Sequence, residues 1–81
     1  MTLSRYAMIQ ILLGCPARKT ATPAEIEEVA EQLFNRQHEL DGILDDGGYH
    51  AQEITRQACR GSLWAQGTLM LYFRVNGRGD T

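Results

Sequence analysis

Large aliphatic and aromatic residues are few in this chain of 81 residues. Only 18 residues are Leu, Ile, Val or Phe, and aromatic residues make up 7% of the sequence. This composition excludes a multidomain enzyme and predicts one small domain over residues 1–81, with flexible ends at residues 1–2 and 76–81. A chain of this length buries only about 60–65% of its unfolded surface on folding, so a partner subunit would add stability.

A long hydrophobic run is also lacking. The longest apolar stretch near the N-terminus, residues 7–13, is interrupted by Gln10 and falls far short of the roughly 20 residues that span a bilayer. The basic segment and the small-residue cleavage site of a secretory signal are missing from it. We therefore expect a cytoplasmic protein with no membrane partner, in which both cysteines are reduced.

Motifs for metal binding and catalysis are missing as well. The four Cys and His residues are Cys15, His38, His50 and Cys59. Consecutive members are nine or more positions apart, whereas structural zinc sites bring their ligands in close pairs. The sequence has no nucleophile elbow and no glycine-rich phosphate loop. We expect no bound metal, no cofactor, no disulfide between the two cysteines and no enzymatic activity.

The clearest local signal is a helix start at Thr22, where Thr22 and Glu25 form a capping box around Pro23. Apolar residues then recur at the three-and-four spacing of an amphipathic helix, which predicts a helix over residues 23 to about 44 that ends at Gly47. A shorter helix is predicted over residues 49–60, and Gly61 ends it.

The C-terminal residues change period. Leu69, Leu71, Phe73 and Val75 alternate with the residues between them, which predicts a β-strand over residues 68–75. Residues 62–67 then supply the first arm and the turn of a hairpin. Because this strand is apolar on both faces, we expect a homodimer. The expected interface residues are Met70, Tyr72 and Trp64.

Residues 3–13 fit two structures. As a strand, they line one face with Ala7, Ile9, Ile11 and Leu13, and as a helix they place Leu3, Tyr6, Ala7 and Leu13 on one side. Their β-branched content favours the strand, which would pair with residues 68–75. The predicted fold class is therefore α+β, with one long and one shorter helix packed on a small β-sheet that includes a C-terminal hairpin.

The net charge of −2 conceals an uneven distribution. Residues 22–53 hold nine carboxylates against a single base, Arg36, and both flanking segments are basic. Such a face is either a solvated helix surface or a docking site for a basic partner. The carboxylates expected to contact a partner are Glu27, Glu28, Glu31, Asp41, Asp45 and Asp46.

Two functional hypotheses follow from these features. The first is a non-enzymatic binding protein that regulates or inhibits a larger protein with a basic surface. Small inhibitors encoded by phages and mobile elements have similar compositions, which is an analogy of type. The alternative is a nucleic-acid-binding regulator that uses residues 49–60 and the hairpin in a winged-helix order, with Arg56, Arg60 and Arg74 as contacts. The sequence pI of about 5.5 argues against the alternative.

Overall fold

The computed structural model describes residues 2–77 of the chain. Every regular element within this range is helical. A 3₁₀ helix, Pro16–Thr20, connects the first two α-helices. The α-helices are α1 (Arg5–Leu13), α2 (Pro23–Asp46), α3 (Tyr49–Cys59) and α4 (Leu63–Asn76). The α+β prediction is wrong, since residues 2–77 contain neither a strand nor a hairpin.

Helices α2 and α3 are the two that the sequence predicted. The capping box is present, because the Glu25 N–H donates to Thr22 Oγ1 (3.1 Å) and the Thr22 N–H donates to Glu25 Oε1 (3.4 Å). Helix α2 continues two residues beyond its predicted end and stops at Gly47, whose φ of 70° is the left-handed conformation that glycine adopts without strain. Helix α3 ends at Cys59, one residue before its predicted end.

Residues 5–13 form helix α1, so the preference for a strand is wrong. Ser4 caps this helix, because its Oγ accepts a hydrogen bond from the Ala7 N–H at 3.1 Å. Met8, Ile11 and Leu12 are buried, which is the three-and-four spacing of a helix. The cap and the burial of this face outweigh the β-branched content that favoured a strand.

Residues 63–76 form helix α4, so the predicted strand over residues 68–75 is also wrong. Ser62 caps the helix by accepting a hydrogen bond from the Ala65 N–H at 3.2 Å. Because all but Thr68 and Arg74 in residues 68–75 are apolar, an alternating pattern and a helical pattern fit equally well. Burial against the other helices selects the helical one.

The end of α4 reaches into a predicted flexible segment. Asn76, its last residue, donates through Nδ2 to Asp41 Oδ1 (2.8 Å) and to the Tyr72 carbonyl (2.9 Å). The predicted flexible ends also include residue 1 and residues 78–81. These residues lie outside the described part of the chain.

The core lies where α1, α2 and α4 meet. Its largest fully buried residues are Met8, Leu12, Leu33, Leu40, Leu71 and Thr68. At the crossing point, a Cβ on residue 67 would lie 2.5 Å from Leu12 Cδ2 and 2.9 Å from Leu33 Cδ1. Glycine at this position therefore lets the backbone of α4 approach both neighbouring helices.

Two glutamine side chains tie the non-helical backbone to the helices. Gln37, which is buried in α2, accepts from the Leu3 N–H (2.8 Å) and donates to the Leu3 carbonyl (3.0 Å). Gln66 of α4 accepts from the Ala17 N–H (2.8 Å) and donates to the Ala58 carbonyl (3.0 Å). The bonds to Leu3 and Ala17 satisfy backbone groups at or before a helix start, whereas the Ala58 carbonyl also accepts from the Gly61 N–H at 3.1 Å.

Alanine substitutions at two helical glycines are expected to have opposite effects. Gly67→Ala should lower the free energy of unfolding by about 1–3 kcal/mol, because the added methyl forces the fully buried Leu12 and Leu33 side chains to move. Gly42→Ala should raise it by about 0.5–1 kcal/mol, because nothing lies within 4 Å of the added methyl and glycine is a poor helix former. Urea unfolding followed by circular dichroism measures both. A Gly67→Ala protein as stable as the wild type would contradict the close approach.

Removing the Gln37 amide is expected to loosen the N-terminal segment. Gln37→Leu should lower the free energy of unfolding by about 1–3 kcal/mol, because the Leu3 N–H and carbonyl lose their partner. Gln52→Leu, at an exposed position on α3, is the control and should change it by less than about 0.5 kcal/mol. Urea unfolding gives both values, and equal stability of the two variants would show that the Leu3 contact contributes nothing.

Candidate functional site

The six carboxylates predicted to bind a partner all lie on α2, away from its buried residues Ala30, Leu33, Gln37 and Leu40. They differ in how far they are exposed. Glu27, Glu28, Asp45 and Asp46 are exposed, whereas Glu31 and Asp41 are half-buried. The six do not form one continuous surface, because some of them are engaged by neighbouring helices.

Three of these carboxylates hold the fold together. Glu31 forms an ion pair with Arg5 of α1, with 2.9 Å between Oε1 and Nη2. Asp41 accepts from Asn76, and Asp45 accepts from the Tyr72 hydroxyl at 3.1 Å. These side chains link α1 and α4 to α2, so they are occupied before any partner arrives.

The structure of residues 2–77 shows no helix-to-helix ion pair or hydrogen bond from the other three carboxylates. No base among residues 2–77 forms an ion pair with Glu27, Glu28 or Asp46. Glu27 and Glu28 are adjacent in the second turn of α2, and together they are called the acidic patch below. Asp46 lies at the opposite end of the helix, about 27 Å away at the helical rise of about 1.5 Å per residue.

Two arginines elsewhere on α2 and α3 are engaged by pairs within their own helices. Arg36 pairs with Glu39 at 2.8 Å and Arg56 pairs with Glu53 at 2.6 Å. The hydrogen bond from Arg36 lowers the pKa of Glu39, and the bonds from Arg56 and Gln57 lower the pKa of Glu53. These exposed pairs therefore keep their carboxylates ionised without neutralising the acidic patch.

An open cavity of about 480 Å³ lies beside the acidic patch. Apolar side chains make up most of its wall, together with Arg18 and the carboxylate of Glu27. The apolar residues are Ile9, Leu13, Ala21, Pro23 and Ile26. A lysine or arginine side chain has an apolar stem and a charged head. This cavity suits such a side chain, with the stem against Ile9 and Leu13 and the head at Glu27.

The sequence missed this cavity because it assigned Ile9 and Leu13 to a strand. Ser4 is the signal that could have revealed the cavity. Serine is a preferred N-cap residue, and the Ser4 Oγ accepts a hydrogen bond from the N–H of Ala7, three positions later. Helix α1 brings Ile9 and Leu13 beside the start of α2, where they line the cavity with Pro23 and Ile26.

The predicted dimer interface is largely internal. Tyr72 is only 7% exposed, and Trp64 is half-buried, with the Arg36 guanidinium 5.9 Å from its ring centroid. Met70 is the exception at 48% exposed. Residues 68–75 are helical, so the two-faced apolar strand that predicted a homodimer is absent. The homodimer itself stays a prediction.

The predicted nucleic-acid contacts lack their expected framework. Arg56, Arg60 and Arg74 are exposed, but Arg56 is bonded to Glu53. Residues 63–76 are helical rather than a hairpin, so there is no wing to accompany α3. The winged-helix arrangement is therefore wrong.

The cysteines and histidines of the described region are not gathered at one place. No group of three or more His, Cys, Asp or Glu residues within residues 2–77 is arranged to hold a metal ion. Both cysteines are free thiols. Cys15 is buried, and its Sγ lies 3.4 Å from the Ile11 carbonyl, to which it donates. Burial raises the pKa of this thiol, so it is a weak nucleophile.

No family model, no curated protein and no solved structure matches the chain. Among residues 2–77, no helix has both the length and the apolar character that crossing a bilayer requires.

Because Glu31 is paired with Arg5, reversing its charge should lower stability more than reversing the charge of Glu28. Glu31→Lys should destabilise the protein by about 0.5–1 kcal/mol, because it places a second cation beside Arg5. Glu28→Lys should change stability by less than about 0.5 kcal/mol. Adding Arg5→Gln to Glu31→Lys should restore part of the loss. Thermal unfolding at low salt measures the three variants, and no restoration would mean that Arg5 is not the partner.

Proposed function

We propose that the protein is a non-enzymatic binding protein that regulates or inhibits a larger cytoplasmic protein by docking on a basic surface of it. The observation that carries this proposal is the acidic patch, whose two adjacent carboxylates are exposed and have no cation partner among residues 2–77. Regulation would follow from coverage, because a bound protein of this size blocks the surface on which it docks.

The cavity beside Glu27 supports the proposal by adding apolar contact to charge. An exposed ion pair contributes at most about 1 kcal/mol, so two carboxylates alone give a weak complex. A partner's lysine or arginine that enters the cavity buries its stem against Ile9 and Leu13. The carboxylates then speed the encounter and select a basic surface.

Two further observations fit the proposal. The exposed thiol of Cys59 is free, as in proteins of reducing compartments such as the cytoplasm. The bases that a nucleic-acid partner would need are partly consumed, since Arg56 is bonded to Glu53, and the chain as a whole is acidic.

Neutralising the acidic patch is expected to weaken partner binding about tenfold without unfolding the protein. The test compares the wild type with Glu27→Gln/Glu28→Gln and with Asp46→Lys, a control with the same change in net charge at the far end of α2. Each protein is tagged and recovered from its host cells with and without nuclease, and bound proteins are identified by mass spectrometry. The expected partner is held by the wild type and the control in a salt-sensitive manner and is reduced about tenfold on the double variant.

Arg18 lines the same cavity and allows a second test of the proposed binding site. Because Arg18 repels a cation that approaches Glu27, Arg18→Gln should strengthen partner binding while Glu27→Gln weakens it. Undiminished recovery of every partner by the double variant would show that the acidic patch is only a solvated helix surface. Partner recovery that nuclease treatment abolishes would favour a nucleic-acid partner instead.

A further inference from the structure

A second surface of different chemistry lies between α3 and α4. It is a groove of about 290 Å³ whose wall includes Leu69, Met70 and Phe73 of α4, Ala58 and Cys59 of α3, and Pro16 at the start of the 3₁₀ helix. Met70 is 48% exposed and Phe73 is 37% exposed. Neighbouring apolar side chains that remain in contact with water are typical of interaction sites.

The few polar side chains in the wall of this groove are already satisfied. The Gln66 amide is bonded to Ala17 and Ala58, and the Thr55 hydroxyl donates to the Ala51 carbonyl at 3.0 Å. The Cys15 thiol donates to the Ile11 carbonyl. The groove therefore offers a ligand mainly carbon and sulfur surface, which recognises apolar side chains.

The elements around the groove are basic. The 3₁₀ helix and α4 contain no Asp or Glu, and the single acidic residue of α3, Glu53, is paired with Arg56. Neighbouring positions on the helix surfaces carry exposed bases, since Arg74 follows Met70 by one turn and Arg60 follows Cys59. The exposed bases of these elements and of the α3 cap are Arg18, Lys19, Arg56, Arg60 and Arg74. Of these, Arg18 lines the other cavity and Arg56 is paired with Glu53, so Arg60 and Arg74 are the bases assigned to the groove.

We infer that this basic-rimmed groove binds an amphipathic acidic helix of a second protein, with its apolar side chains between α3 and α4 and its carboxylates at the surrounding arginines. Helices that dock in grooves present apolar anchors at i, i+3 or i+4 and i+7. Met70 supplies an adaptable contact and Phe73 an aromatic one, which are residue types enriched at such interfaces.

Other occupants fit the groove less well. Two copies of this chain that joined their grooves symmetrically would bring the two basic rims together. The α2 surface of a second copy exposes Glu27, Glu28 and Glu39, and the apolar residues beside Glu27 line a cavity rather than a protruding helix stripe. A groove of about 290 Å³ that is open along one side is at the lower limit of small-molecule sites, which measure about 300–1,000 Å³.

The groove and the cavity beside the acidic patch share no lining residue. Gly67 and Leu71 of α4 pack toward α1 and α2. At about 100° per residue, Met70 lies about 60–100° and Phe73 about 120–160° away from these two residues around the helix axis. The inference therefore does not rest on the function proposed above.

The test uses three fluorescent 16-residue model peptides with the same leucine stripe. The first carries glutamate at its remaining positions, the second carries lysine, and the third is a scramble of the first. Fluorescence anisotropy with the full-length protein should show binding of the acidic peptide at least about tenfold tighter than of the other two, and weaker at about 0.5 M salt. Equal binding of the acidic and basic peptides, or no binding, would overturn the inference.

Variants locate the binding in the groove. Met70→Gln/Phe73→Gln should weaken binding of the acidic peptide by about tenfold or more, and Arg60→Gln/Arg74→Gln should weaken it and reduce its salt dependence. Leu13→Gln removes an apolar residue of similar exposure, 39%, from the other cavity and should leave peptide binding unchanged. Glu27→Gln/Glu28→Gln should also leave it unchanged. Circular dichroism confirms that each variant is folded.

Two further measurements test the other occupants. Sedimentation of the wild-type protein at tens of micromolar should give either a monomer or a homodimer that Met70→Gln/Phe73→Gln leaves intact. A dimer that this variant dissociates would assign the groove to a second copy and overturn the proposal. Flotation with phosphatidylglycerol vesicles should show no binding. Vesicle binding that requires Met70 and Phe73 would assign the groove to an anionic membrane surface and overturn the proposal.

Discussion

The close approach of α4 to α1 and α2 at Gly67 is the contact on which the rest of the structure depends. With no side chain at this position, Leu12 and Leu33 fill the space that a Cβ would occupy, and Leu71 enters the same core. This contact fixes the rotation of α4 about its axis. Once Gly67 and Leu71 face inward, Met70 and Phe73 must face the groove beside α3, and Tyr72 is brought to Asp45.

The carboxylates of α2 divide into two groups because of the helices that pack beside it. Arg5, Tyr72 and Asn76 engage Glu31, Asp45 and Asp41 respectively, and none of the three is close to its partner in the sequence. Glu27 and Glu28 receive no such partner among residues 2–77. The carboxylates that remain available to a partner, Glu27 and Glu28, therefore lie near the start of α2, beside the open cavity that α1 lines.

The two proposed surfaces are complementary in chemistry. One pairs carboxylates with an apolar cavity and suits a basic partner, and the other pairs an apolar groove with arginines and suits an acidic one. A near-neutral net charge results from adding these opposed faces. If both proposals hold, the protein joins two different partners across α4, which is a different form of regulation from blocking a single surface.

The sequence by itself determined α2 and α3. The capping box at Thr22 and the glycines at positions 47 and 61 act within a few residues, so local hydrogen bonding and φ preferences are enough. It also located the carboxylates. Only the tertiary structure decided α1 and α4, because residues 68–75 are apolar at nearly every position and no period stands out until one face is buried. The same holds for the sites. Which carboxylates stay unpaired, and which apolar residues line a groove, depends on contacts between residues such as Arg5 and Glu31 that are distant in the sequence and meet only when the helices pack.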